Sequence, residues 1–292
     1  MLQVGIQLYS VRNRMAKDWQ GTLRAVADAG YRVIEPANHF YPQDDGIGFG
    51  VPARVMKAML DDLGLSVCNT HVYPLDNGTD HIDNLPRALE YQLAVGSRRI
   101  TVAGMHFFGV DDVLRKAEIW NRMGEICRRY GVAFMLHNHY QEFQIFPGQT
   151  KTVMDLLLEN TDPKAVRFEL DTYWAVRGAQ DIPALFRHMG SRILMIHQKD
   201  FPPECGEELD LVTPAMEAGA IIDEPYYDRT HTPGSFTEIG SGCLPIQSYI
   251  DAANAYTAAD HIILEQDFTA MDEIESIRKS MAGFKQFTGV RW

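Results

Sequence analysis

Along the 292 residues, short apolar runs alternate with longer stretches in which apolar residues recur at helical spacing. The short runs fall at residues 4–9, 33–36, 66–71, 99–103, 132–137, 166–171, 193–197 and 261–265, giving eight candidate strands. Residues 19–29, 53–63, 85–95 and 113–130 carry the helical pattern, and each stretch is followed at once by a glycine: Gly30, Gly64, Gly96 or Gly131. A glycine just past the last periodic residue is a helix stop signal, because it tolerates the left-handed conformation that closes a helix. Residues 150–159, 182–188, 245–255 and 271–287 predict later helices.

Strand alternating with helix implies right-handed crossovers and a parallel sheet. Eight such units in a chain of this length predict an α/β fold, a (β/α)8 TIM barrel forming a single domain over residues 1–292. An open doubly wound sheet would announce itself with a glycine-rich loop after the first strand, where this chain has "SVRNR". One section breaks the rhythm: about 201–244 is rich in Pro, Gly and acidic residues and shows no clear helix. A connection of that length between strands seven and eight predicts a lid-like loop over the catalytic face.

Barrel active sites form at the C-terminal ends of the strands. Here those ends are polar: Gln7–Tyr9, Glu35, Asn69–His71, His137–His139 with Glu142 beyond, Glu169–Asp171, His197–Lys199 and Glu265–Asp267. Residues i and i+2 of a strand share a face, so each pair can point inward. Ionisable groups gathered inside a protein must pair or hold a metal. Carboxylates with an imidazole suit Mn²⁺, Mg²⁺ or Co²⁺ better than a structural zinc. Singly, each residue also has a plainer reading: an inward histidine as a hydrogen-bonded core residue, Glu35 as a partner for a barrel cation, Trp174 as packing, Asp200 as a cap. Their coincidence at successive strand ends is what points to a site.

Composition removes other classes. The formal net charge of −12 excludes a broad basic face for nucleic acid. No run reaches the roughly 18–20 apolar residues of a membrane span, and the N-terminus reads as an opening strand rather than a signal peptide. Cys68, Cys127, Cys205 and Cys243 form no CxxC pair; they are expected to be reduced thiols in a cytoplasmic protein.

The segments "HNHYQEF", "ELDTYWAVRGAQD", "IHQKD" and "EIGSG" with "ILEQD" resemble the xylose isomerase-like TIM-barrel superfamily, and within it the sugar phosphate isomerase/epimerase group; "GIQLYSVR" and "GYRVIEPA" fit its opening. The resemblance runs from about residue 4 to about 267 and implies one divalent metal ion, Mn²⁺ first, with Mg²⁺, Co²⁺ or Zn²⁺ as alternatives. It implies ligands at Asp171, His197 and Glu265. At strand five this chain departs from the group, with His137 where many members have Glu; Glu142 is the available carboxylate, with His137 and His139 as substitutes. Glu169, deeper by parity, is expected to be a supporting paired group.

The resemblance also implies a small-molecule keto-sugar or keto-glycoside substrate and an enediolate intermediate. Glu142 and Glu265 would be the acid/base pair, and Lys199 and His71 would bind hydroxyls or stabilise the enediolate. Glu35, Tyr9, His139 and Trp174 would contact substrate, and His39, His106 and His231 lie in loops near the mouth. The expected activity is isomerisation or epimerisation. A lyase or dehydratase on a keto-sugar or cyclitol is the alternative, and a non-catalytic sugar-binding barrel a more distant one. The C-terminal "QFTGVRW" fits either the interface tail of a homo-oligomer or a closing strap.

Overall fold

The computed structural model describes residues 1–73 and 79–292. The strands are β1 (Leu2–Gln7), β2 (Val33–Glu35), β3 (Ala37–Asn38), β4 (Ser66–Val67), β5 (His71–Val72), β6 (Arg99–Val102), β7 (Ala133–His137), β8 (Val166–Asp171), β9 (Ile193–Gln198), β10 (His261–Leu264) and β11 (Val290–Arg291). The helices are α1 (Arg12–Met15), α2 (Trp19–Asp28), α3 (Ala53–Leu63), α4 (Thr79–Val95), α5 (Val110–Arg129), α6 (Val153–Asn160), α7 (Thr172–Arg177), α8 (Ile182–Met189), α9 (Val212–Glu217), α10 (Glu224–Thr230), α11 (Ile246–Tyr256) and α12 (Glu273–Phe284).

All ladder pairings are parallel, in the order β3-β5-β6-β7-β8-β9-β10-β1-β2-β4. The two ends of that path are halves of interrupted strands. Pro36, which has no N–H to give a ladder, separates β2 from β3, and residues 68–70 separate β4 from β5. Cys68 N donates to Ile34 O at 3.1 Å and His71 N to Pro36 O at 2.9 Å, so pairing continues across both gaps and the eight-stranded barrel closes. β11 pairs edge to edge with the start of β1, Val290 beside Leu2 and Arg291 beside Gln3.

Gly30, Gly64, Gly96 and Gly131 all take positive φ, as their places after the predicted helices require. The helices bury one face against the barrel in a continuous apolar layer that includes Leu23, Met56, Leu89, Trp120, Leu157, Phe186, Ile250 and Phe284. Inside the barrel, Met135, Met195 and Ile263 form a separate small apolar cluster. Two residues further along the same strands stand His137, His197 and Glu265, all buried. Strand parity therefore carries each inward row from an apolar floor to an ionisable mouth.

The connection after β9 differs from its sequence reading. It holds two short helices, α9 and α10, the latter capped by Asp223, whose side chain accepts from Tyr226 N. Short helices without a sustained apolar period leave little trace in a pattern. Asp200 fastens both ends of this connection: its carboxylate accepts from the backbone N–H of Phe201, Gly240, Gly242 and Leu244 at 3.0–3.2 Å. Asp200 is thus a loop cap.

Candidate active site

The strand ends converge on a cavity of about 300 Å³ at the barrel mouth. His71, His137, His139, Glu265 and Asp267 line it from the strands, Tyr9, His39, Tyr73 and His106 from the segments that follow, and Tyr227 and His231 from the long connection.

Below the cavity lies a buried hydrogen-bonded layer. Glu35 accepts from His197 Nε2 at 2.5 Å, Gln7 Nε2 at 3.0 Å and Asn69 Nδ2 at 2.6 Å. His71 Nε2 meets Glu169 Oε2 at 2.5 Å. Burial alone would raise Glu169, but the His197 and His71 rings outweigh it and hold the carboxyl well below its ordinary range. Burial and the neighbouring Glu169 charge push Glu35 up to about 7. Burial disfavours a charged His197, yet Glu169, Glu35 and Glu265 outweigh it and raise the ring well above the ordinary histidine value.

The upper layer centres on Lys199, which is fully buried. Its Nζ lies 2.5 Å from both Asp171 Oδ2 and Glu265 Oε2. Burial opposes the ammonium charge, but Asp171, Asp267 and Glu265 outweigh it and keep Lys199 protonated. Glu265 is correspondingly held well below the carboxylate range by Lys199 and His197 against its burial. Burial takes Asp171 up to about 6 despite Lys199.

Two sets of side chains could hold an ion: His71, His137, Glu169 and His197, and His137, Asp171, His197 and Glu265; within each set, one ligand atom per residue lies within 4.8 Å of the others. Pairs already run through both sets: His71 with Glu169 in the deeper one, and Glu265 with His197 in the upper one, where Lys199 also holds Asp171 and Glu265. His137 belongs to both. Burial pushes His137 down to about 3, leaving a neutral imidazole whose Nδ1 has no hydrogen-bond partner, and Asp267 Oδ1 is buried without one as well. Burial likewise keeps His139 neutral. The buried acids Glu35, Glu169, Asp171, Glu265 and Asp267 outnumber the buried cations His71, His197 and Lys199. Two imidazoles, two carboxylates and excess negative charge fit a divalent cation.

Asp171, His197 and Glu265 thus come together as the sequence suggested, and the fourth member is His137. Glu142 does not join them. It sits in a short 3-10 turn, Gln141–Phe143, where Oε2 accepts from His139 N at 2.9 Å. The carboxyl borders a small apolar space with Trp120, Met154 and Phe168 on the helix side of the sheet, and burial raises it to about 8. Tyr9, His71 and His139 line the cavity, whereas Glu35 and Lys199 lie beneath it. Trp174 is fully buried: Asp171 Oδ1 caps α7 by accepting from Trp174 N at 2.9 Å, and the indole packs behind His139, Tyr227, His231 and Phe236. Tyr227, not Trp174, faces the cavity.

Tyr73, Tyr227 and His231 are cavity groups that carried no individual assignment from the sequence. Tyr73 follows His71 at i+2, the same parity signal that marks the other pairs. His231 Nε2 lies 3.0 Å from Asp267 Oδ2, so the long connection delivers an imidazole to a strand-eight carboxylate. Nothing in the pattern of 201–244 foretells that meeting.

The chain belongs to the xylose isomerase-like TIM barrel family, whose model matches residues 23–287. Among curated proteins it is similar to inosose dehydratases: 26% identical over 147 residues to that of Halalkalibacterium halodurans, covering 50% of this chain and 44% of the relative, and 28% identical over 169 residues to that of Lactiplantibacillus plantarum, covering 57% and 51%. The matched stretch spans about half the length of those relatives. Among solved structures, a sugar phosphate isomerase/epimerase from Parabacteroides distasonis superposes with a TM-score of 0.76 at 23% identity, covering 99% of this chain and 96% of that one. The IOLI protein with a zinc atom superposes with a TM-score of 0.69 at 11% identity, covering 98% and 100%. Among the described residues no helix is long and apolar enough to cross a membrane, and all four cysteines are free.

Proposed function

We propose that the chain is a divalent-metal-dependent enzyme that removes a proton beside the ketone of a keto-sugar or keto-cyclitol and then expels a β-oxygen, a lyase reaction. The observation that carries the reading is the upper set of His137, Asp171, His197 and Glu265, two imidazoles and two carboxylates whose ligand atoms gather within 4.8 Å, with His137 and Glu265 opening onto the cavity. A divalent ion held there would polarise the substrate carbonyl and acidify the adjacent C–H. Mn²⁺ suits the mixed nitrogen and oxygen donors, and the zinc of the IOLI relative makes Zn²⁺ the main competitor.

The chain's own groups supply the rest. Glu265, ionised and lining the cavity, accepts the α-proton. The resulting enediolate collapses with loss of the β-oxygen, and His231, steered by Asp267, donates the proton that lets it leave. His71 and Tyr9 bind hydroxyls from the cavity wall. Lys199 supplies a counter-charge to Asp171 and Glu265, so the ion and the ammonium would share the same carboxylates. The inosose dehydratase relatives support elimination, and the 201–244 connection serves as the lid that brings His231.

Isomerisation or epimerisation shares the first step and differs only in where the proton returns; the isomerase/epimerase names of structural relatives favour it. Incubation with inosose and with 3-keto-glucose in D₂O separates the outcomes. Proton NMR is expected to show α-deuterium in recovered substrate and an enone product. Deuterium without enone would reassign the enzyme as an epimerase or isomerase, and no exchange with any keto-sugar would refute α-proton abstraction.

A further inference from the structure

We infer that the substrate carries an apolar, planar group attached to its sugar, held in a groove beside the catalytic cavity; the inference rests on the keto-sugar reading above. The groove encloses about 240 Å³ between the segments after the first and second barrel strands, and it shares Tyr9 and His39 with the catalytic cavity. Its other walls include Leu8, Met15 and Phe49. Phe40 forms the rim and is 63% exposed.

A free keto-sugar or cyclitol bears hydroxyls on nearly every carbon and has nothing to offer such walls. The catalytic cavity presents imidazoles, carboxylates and phenols that match a sugar, whereas the groove, with the Arg12 guanidinium at one wall, presents mostly hydrocarbon. Polar and apolar halves joined through a common wall fit a ligand with a polar and an apolar half. Flat surfaces border the junction: His39 stacks on Tyr73 with ring centres 4.1 Å apart and planes 13° apart, and the Arg12 guanidinium lies over the Tyr9 ring at 4.1 Å. A second copy of the chain is the poorer occupant. It would have to insert a side chain beside the barrel mouth and would obstruct the cavity that shares those walls.

The test compares 3-keto-glucose with phenyl 3-keto-glucoside by calorimetric titration into the Mn²⁺-loaded chain, its Phe40→Ser variant and its Ala16→Phe variant. Both substituted positions are exposed, and the second places a ring in the groove. Burial of a phenyl ring is expected to tighten binding at least about tenfold over the bare keto-sugar. Both variants are expected to lose most of that gain and to bind 3-keto-glucose as the wild type does. Equal affinity for the two ligands in the wild type would overturn the groove and leave the keto-sugar reading standing. Binding of neither would overturn both. Sedimentation of the wild type as a dimer that Phe40→Ser dissociates would give the groove to a second copy and overturn the inference.

Discussion

The ammonium of Lys199 lies 2.5 Å from Oδ2 of Asp171 at full burial of both. The same nitrogen reaches Glu265 at 2.5 Å, so one cation neutralises two of the four groups assigned to the metal. A buried ammonium and a divalent ion then act on the same carboxylates. Replacing Lys199 with Met strips the pair of its internal counter-charge. The metal-free variant is expected to be about 3–5 kcal/mol less stable, because uncompensated buried charge is costly. Its Mn²⁺ affinity is expected to rise, and added metal to restore most of the lost thermal stability. Parallel melting curves with and without Mn²⁺ check both; a variant that binds metal more weakly would make Lys199 part of the metal site's support rather than its competitor.

Glu142 separates two readings of strand five. With its carboxyl on the helix side of the sheet, Glu142→Gln is expected to retain full metal binding, while His137→Ala loses at least about tenfold in affinity. Metal titration of the two variants decides between them.

The same residue gives stability a pH signature. Burial raises Glu142 to about 8, so the folded chain keeps a proton that the unfolded chain releases in the ordinary carboxylate range. Between those limits the native state binds more protons, and stability falls as pH rises, by about 1.4 kcal/mol per unit. Relative to Glu142→Gln, wild type is expected to lose about 2.5 kcal/mol between pH 5.5 and 7.5. Urea denaturation at both values checks this; parallel pH dependences would show that Glu142 ionises normally.

Periodic segments display their inward side chains in the sequence, and aperiodic ones do not. The pairs Glu169/Asp171, His197/Lys199 and Glu265/Asp267 were readable because strand parity fixes which side chains share the barrel interior. The glycine stops were readable because positive φ selects for glycine. Glu142 lies five residues past His137, the last strand-five position in the cluster, where no period constrains direction, and the nearest carboxylate in sequence turned outward to accept the His139 N–H. Trp174 is set by Asp171 acting as a helix cap, a local bond that turns the indole behind the cavity wall. Tyr227 and His231 come from a connection whose course depends on Asp200 and on contacts far away in sequence.

Asp200 offers a way to loosen that connection without touching the cavity. Its carboxylate satisfies four backbone N–H groups, and Asp200→Ala is expected to cost about 3 kcal/mol. Because His231 rides on the connection, kcat is expected to fall while metal content stays unchanged. Hydrogen exchange confined to 201–244, measured beside the melting curve, distinguishes local release from global unfolding.

His231→Gln tests the proton donor directly. Loss of a positioned acid is expected to lower kcat by about 10²–10⁴-fold, with α-deuterium exchange into recovered substrate persisting, since that step is proposed for Glu265. Loss of exchange together with product formation would place His231 in proton abstraction instead.

The proposed chemistry stands on His137, Asp171, His197 and Glu265 holding one divalent ion. Calorimetric titration of Mn²⁺ into metal-free wild type, His137→Ala and Asp171→Asn tests it most directly. One equivalent is expected to bind to wild type, with weakened or absent binding in both variants. Absence of binding by wild type, or equal binding by all three, would contradict it.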